Sequence, residues 1–94
     1  YHSERAIHRC GGDCFEGPYF DGRRNGKVCI YRYADGCIEY GSWFEGLPSG
    51  VGVMWSTDRK NAYQVINGEL EGAITLAVAE KIAKEEFNLA VPQM

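Results

Sequence analysis

The sequence predicts a mainly β fold, a single-layer antiparallel meander of β-hairpin repeats with a C-terminal amphipathic α-helix. Three observations support this prediction. The 94 residues include 12 Gly, 6 Tyr, 4 Phe and 2 Trp, a composition typical of strands joined by tight turns. A short glycine signature occurs three times. Near the C-terminal end, the hydrophobic period changes to that of a helix.

The repeated signature is an Asp, Glu or Asn followed by Gly-x-x-x-Gly. Its copies lie at 21–26, 45–50 and 67–72, and each follows a pair of aromatic or β-branched residues. Periods of roughly 20–50 residues indicate stacked supersecondary units. Each unit is therefore predicted to be a strand, a glycine turn and a second strand. Gly22, Gly46 and Gly68 are expected at the points where the chain reverses.

The elements follow from this pattern. Strands are predicted at 5–10, 14–20, 27–33, 37–44, 51–56, 62–66 and 73–77, all as antiparallel neighbours. Gly17 and Gly41 lie inside strands, where we expect them to leave room for a neighbouring aromatic ring. A helix is predicted over 78–89, where the apolar residues follow the period of a helix, and Pro92 ends any helix there. Residues 1–94 would thus form a single domain, with repeats at 5–77 and a capping helix at 78–89.

At these residues the chain resembles the MORN (membrane occupation and recognition nexus) repeat family. That pattern is roughly Tyr-x-Gly-x-Trp-x-x-Gly-x-x-x-Gly-x-Gly, then Tyr-x-Tyr-x-Asp-Gly. The first full copy keeps Phe15, Gly17, Tyr19, Gly22, Gly26, Tyr31, Tyr33, Asp35 and Gly36. The second keeps Gly41, Trp43, Gly46, Gly50, Gly52 and Trp55, with Glu39-Tyr40 in place of the usual Tyr-x. The third keeps Tyr63, Gly68 and Gly72.

The resemblance implies an elongated, slightly curved sheet with an aromatic inner face. Relatives of this kind use their repeats as scaffolds or partner-binding surfaces, some of them attached to membranes or beside catalytic domains. Lipid binding is often proposed for the family without being a secure property of it.

Charge and hydropathy exclude several classes of function. The formal net charge is −3 and the basic residues are scattered, whereas nucleic-acid binding needs a clustered basic face. No run of apolar residues is long enough to span a membrane, and no segment reads as a signal peptide. We therefore expect a cytoplasmic protein. Arg23 and Arg24 leave a membrane-lipid surface as an alternative, which the net charge opposes.

No catalytic site, metal or cofactor is predicted. The sequence lacks Gly-x-Ser-x-Gly, His-Glu-x-x-His, Gly-x-Gly-x-x-Gly and a phosphate-binding loop. His8, Cys10 and Cys14 are closely spaced, but no second Cys or His pair follows to complete a zinc site. A disulfide is an alternative, although Cys14 and Cys37 should point to opposite faces. Buried free thiols are the favoured interpretation.

The candidate binding residues are aromatic: Tyr19, Tyr31, Trp43 and Trp55. These side chains could form a groove that binds a peptide or an amphipathic helix. Alternatively, they could form the core beneath the C-terminal helix. Both interpretations could hold along different parts of the sheet. The sequence thus predicts a non-catalytic protein–protein interaction or assembly module whose partner is unidentified. A homodimer formed through open sheet edges is one alternative. Another is a regulatory or membrane-surface-targeting segment of a larger protein, suggested by a start at Tyr1 halfway through a unit.

Overall fold

One open antiparallel sheet with a helix on one of its faces makes up the fold. The structure is a computed structural model that describes residues 4–10, 12–20 and 22–93, with side chains from residue 12 onward except at 19, 20 and 24. The strands are β1 (Glu4–Cys10), β2 (Asp13–Phe20), β3 (Arg23–Arg24), β4 (Gly26–Arg32), β5 (Ile38–Phe44), β6 (Leu47–Trp55), β7 (Ala62–Ile66) and β8 (Glu69–Ile74). Their order is β1-β2-β4-β5-β6-β7-β8, with β3 paired to β2. The predicted meander is confirmed.

The hairpin turns are tighter than predicted. In two of the three signatures the reversal takes two residues, both with positive φ: Glu45 and Gly46 at 50° and 87°, and Asn67 and Gly68 at 50° and 85°. This is the backbone of a type I′ turn, whose twist matches that of the flanking strands. Strands β6 and β8 therefore begin at 47 and 69, so the predicted starts at 51 and 73 are wrong. The second glycine of these two signatures lies inside the strand.

Register divides the side chains between two faces of the sheet. Across one row, Phe15 pairs with Tyr31, Tyr31 with Glu39 and Glu39 with Met54. Because paired residues of antiparallel strands point to the same side, these four residues share a face, which we call the ring face. The opposite face, called the helix face, carries Ile30, Ile38, Tyr40, Val53, Trp55 and Ala62.

The helix α1 (Leu76–Phe87) covers the helix face. Thr75 caps its first turn by accepting a hydrogen bond from the Val78 amide at 3.1 Å, and Asn88 ends it in the left-handed conformation. The predicted span of 78–89 is therefore shifted two residues too far along the chain. Ala79, Ala83 and Phe87 pack into the core that the helix face provides.

The tail after the helix is also fixed to the sheet. The Tyr40 hydroxyl donates a hydrogen bond to the Ala90 carbonyl at 2.8 Å, and Leu89 and Val91 pack against the core. The helix and tail therefore cover their own sheet. In the part of the chain that the structure describes, no helix combines the length and the apolar character needed to cross a membrane.

Candidate functional site

The ring face carries a cluster of aromatic side chains, defined here as Phe15, Tyr31, Tyr33 and Trp43. The Phe15 ring meets Trp43 edge-to-face with centroids 5.5 Å apart, and meets Tyr31 at 6.3 Å. Tyr31 and Tyr33 lie 4.7 Å apart. Phe15 is 1% exposed, whereas the other three rings are half-buried. The aromatic cluster thus has a buried centre and a rim that reaches solvent.

Trp55 does not belong to this cluster. It pairs with Ile38, lies on the helix face and is 2% exposed beneath the helix. The prediction of one aromatic face containing Tyr31, Trp43 and Trp55 is therefore wrong. The core interpretation applies to Trp55, while Tyr31 and Trp43 lie together on the face that the helix leaves uncovered.

The physical reason is a register difference between two similar hairpins. In the hairpin of β2 with β3 and β4, Phe20 pairs with Arg23 and Phe15 pairs with Tyr31. Five residues separate the two positions on the first strand, but eight separate their partners on the return. In the hairpin of β5 and β6, Phe44 pairs with Leu47 and Glu39 pairs with Met54. Five residues separate the two positions on β5, but seven separate their partners on β6. Bulges thus add three residues in one hairpin and two in the other. A difference of one residue exchanges the faces of a strand.

Tyr19, the remaining predicted binding residue, is placed only by its backbone. It pairs with Glu4 on one side and Arg24 on the other. Its side chain lies outside the part of the structure that is described.

Two carboxylates accompany the aromatic cluster, and sequence reasoning missed both. The Tyr31 hydroxyl donates to Asp13 Oδ2 at 3.0 Å, while the backbone amide of Ala34 donates to Asp13 Oδ1 at 2.7 Å. The Tyr33 hydroxyl donates to Glu39 Oε1 at 2.6 Å. Two signals for them were available in the sequence. Tyr31 and Tyr33 are two residues apart and therefore share a face, and Glu39 stands where the repeat pattern has Tyr.

Burial dominates the electrostatics at Glu39. Desolvation raises the pKa of its carboxyl group, and the hydrogen bond from Tyr33 opposes that shift. Burial, followed by the bond to Glu39 and the nearby carboxylate charges, strongly raises the pKa of the Tyr33 hydroxyl. Tyr33 is therefore held as a protonated donor at neutral pH.

Glycines shape the surface next to these groups. A Cβ at Gly17 would stand 2.9 Å from Cys29 Sγ and 3.0 Å from Phe15 Cζ, so this glycine makes room for the Phe15 ring as predicted. At Gly41 the expected neighbouring ring is not found among the side chains that the structure describes. Of the described atoms, a Cβ there would meet only Glu39 Oε2, at 3.7 Å. Gly41 is buried, and the Glu39 carboxylate lies beside it.

A groove of about 410 Å³ adjoins Trp43 near the turn of the β5–β6 hairpin. Near it, the paired residues Phe44 and Leu47 beside the turn are 61% and 69% exposed. Exposed apolar side chains that stand together mark candidate interaction surfaces. Alternation along β5 places Phe44 and its partner Leu47 on the side of the sheet opposite Trp43, and Glu86 of the helix also lines the groove, so this apolar tip belongs to the helix face.

No protein-family model matches the chain, and no curated protein matches it.

The cysteines show no pairing among the side chains described. Cys29 is a buried thiol outside any disulfide, and the half-buried thiols of Cys14 and Cys37 are also outside any disulfide. The side chains of His8 and Cys10 lie outside the described residues. Within that described set, no three His, Cys, Asp or Glu side chains come together as a metal site.

Removing the Glu39 charge is expected to stabilise the fold at neutral pH. The raised pKa means that the folded protein holds the proton more tightly than the unfolded chain does. The wild type should therefore gain stability relative to Glu39→Gln as the pH falls from 7 towards the ordinary carboxyl value of 4.5. Urea unfolding at a series of pH values measures the difference, with the surface variant Glu71→Gln as control. A Glu39→Gln variant that is less stable than wild type at pH 7 would contradict the assignment.

Proposed function

We propose that the chain is a MORN-type β-hairpin repeat module that binds another protein through the ring face and takes no part in catalysis. The observation that carries this proposal is the aromatic cluster on the face opposite the helix, with its rim at the surface. A single-layer sheet has to cover its apolar face with something. Here the helix covers one face, and a partner would cover the other.

The chemistry of the rim supports protein recognition. Tyr and Trp are enriched among the side chains that dominate binding free energy at interfaces. The hydroxyl groups of Tyr31 and Tyr33 are already hydrogen-bonded, at 3.0 and 2.6 Å. Rings held in this way lose little conformational freedom when a partner arrives, which favours affinity.

A non-catalytic role is supported by the state of the polar groups. Asp13 accepts two hydrogen bonds, one per oxygen, so it is engaged in holding Tyr31 and the turn after β4. The raised pKa of Tyr33 keeps its hydroxyl protonated, whereas a general base needs a pKa near the working pH.

The test is a selection of random 12-residue peptides on the immobilised protein, followed by affinity measurement with folded variants. We expect Trp43→Ala to weaken the selected peptides by about tenfold or more, as for a hot-spot residue. Val78→Ala, an exposed apolar site on the helix, is the matched control and should bind as wild type does. Circular dichroism verifies that both variants are folded. Failure to select any peptide, or equal binding by Trp43→Ala, would contradict the proposal.

A further inference from the structure

A cavity lies on the helix face, where the end of β6, the first turns of α1 and the tail after the helix meet. Its volume is about 370 Å³, within the roughly 300–1,000 Å³ that is typical of sites for small ligands. Most of its lining residues are apolar: Trp55, Leu76, Ala77, Val91 and Pro92. The other two, Arg59 and Glu80, carry opposite charges. An apolar cavity with a few polar groups is the usual form of a ligand site.

The guanidinium group of Arg59 uses one of its three nitrogen atoms within the chain. Nη1 donates to the carbonyl groups of Gly36, Ser56 and Thr57, at 2.7, 2.9 and 3.3 Å. Among the described residues, Nε and Nη2 have no partner; Nε is buried, whereas Nη2 is not. These two nitrogen atoms form an edge of the guanidinium group that matches the two oxygens of a carboxylate. Arg59 therefore keeps a carboxylate-binding edge free at the wall of the cavity.

The described part of the chain does not supply that carboxylate. Asp58, the neighbour of Arg59, accepts hydrogen bonds from Ser56 Oγ and the Lys60 amide, at 2.7 and 3.0 Å. Glu80 lines the same cavity but forms no ion pair with Arg59 within the described residues. A half-buried cation without a counter-charge is unfavourable. The cavity thus favours a ligand that brings a carboxylate to this wall.

The helix supports this preference and adds a second one. Leu76 and Ala77 precede the first backbone hydrogen bond of α1, in which the Ala79 amide donates to the Thr75 carbonyl at 3.0 Å. The unpaired amides and the dipole of a helix start favour an anion, and the first turn holds no acidic residue. Glu80, about one turn after Leu76, is exposed and attracts a cation instead. The two charged walls fit a ligand that carries both a carboxylate and an ammonium group.

We propose that this cavity binds a free apolar α-amino acid, such as phenylalanine or leucine. Its carboxylate pairs with the Arg59 guanidinium, its ammonium group lies towards Glu80, and its side chain occupies the apolar part of the cavity. Because three carbonyl groups hold Nη1, the cation is in place before the ligand arrives, which lowers the entropic cost of binding. The site is separate from the ring face, so it does not rest on the proposed function.

The first experiment changes the ligand and leaves the protein unaltered. Titration of L-phenylalanine into isotope-labelled protein should shift the amide NMR signals of Ala77, Glu80 and Val91 until they saturate. Phenethylamine, which lacks the carboxylate, should bind about tenfold more weakly. Phenylpropanoate, which lacks the ammonium group, should bind about threefold more weakly, because Glu80 is exposed. N-acetylphenylalanine, which resembles the end of a peptide, should also bind more weakly than phenylalanine.

The second experiment assigns the protein groups. Glu80→Gln should weaken the binding of phenylalanine about threefold without weakening that of phenylpropanoate. Glu85→Gln, exposed on the same helix, is the matched control and should bind both as wild type does. Ala77→Trp places a large side chain at an exposed lining position and should abolish the binding of every ligand. Circular dichroism verifies that the three variants are folded.

Several results would overturn the inference. One is the absence of saturable shifts with both phenylalanine and leucine, and another is phenethylamine binding as tightly as phenylalanine. Equal binding of N-acetylphenylalanine would mean that the site takes the end of a peptide, and would exclude the free amino acid as its ligand. None of these results involves the peptides that bind the ring face, so the proposed function stands or falls separately.

Discussion

Replacing Trp55 with alanine is expected to lower the free energy of unfolding by about 3–5 kcal/mol. The Trp55 ring is 2% exposed and meets Tyr40 edge-to-face with centroids 4.9 Å apart. Tyr40 in turn contacts Phe87 of the helix at 6.4 Å and holds the tail through Ala90. Removing the indole thus leaves a cavity where sheet and helix meet. Because domains of this size are stable by only about 5–15 kcal/mol, the variant should lose a large fraction of its stability.

Denaturant unfolding followed by circular dichroism measures this loss. Trp43→Ala is the matched control, since the same substitution there removes a half-exposed ring from the opposite face. We expect a clearly smaller loss of stability for Trp43→Ala than for Trp55→Ala. Equal losses would contradict the assignment of the two tryptophans to different faces.

The second large effect is expected at Gly36, in the turn between β4 and β5. Its φ is +100°, and a Cβ there would stand 2.7 Å from Thr57 Cγ2 in the turn between β6 and β7. Gly36→Ala therefore combines backbone strain of about 1–2 kcal/mol with overpacking of about 1–3 kcal/mol. The two turns are also joined by hydrogen bonds, from Thr57 Oγ1 to the Asp35 carbonyl at 2.8 Å and from Arg59 to the Gly36 carbonyl. Little room is left for either turn to move aside.

Two further variants separate these contributions. Gly46→Ala places the same substitution at φ +87°, where a Cβ would have no described atom within 4 Å, so it should show the backbone strain alone. Thr57→Ser removes Cγ2 but keeps the hydroxyl, and in combination with Gly36→Ala it should recover most of the excess loss. If Gly36→Ala destabilises no more than Gly46→Ala, the contact between the turns does not limit the substitution. Thermal unfolding of the four proteins and wild type provides the comparison.

Local chemistry explains what the sequence could predict. Glu45-Gly46 and Asn67-Gly68 provide the left-handed backbone that a two-residue hairpin requires, and alternating side chains around them indicate paired strands. The meander, the turns and the terminal helix could therefore be inferred without coordinates. The predicted helix start at 78 lies two residues late because hydrophobic periodicity does not register the N-cap, although the threonine at 75 is a readable capping signal.

The division of residues between faces could not be inferred in the same way. It depends on how many residues each bulge adds, and Gly26, Gly50 and Gly52 do not specify that number from their identity alone. A periodic alignment places Trp55 over Tyr31, yet the different bulges send them to opposite sides. The bond from Tyr33 to Glu39 also depends on this register, so the carboxylate beside the rings was missed.

The unequal bulges have a consequence for how such chains change over evolutionary time. Gain or loss of a single codon between a turn and the regular ladder would exchange the inward and outward side chains of the rest of that strand. A buried ring could thus become a recognition ring, or the reverse, with no residue substituted. Units that look interchangeable by alignment would then present different chemistry to the outside, and duplication followed by a one-residue deletion would be a short route to a new surface.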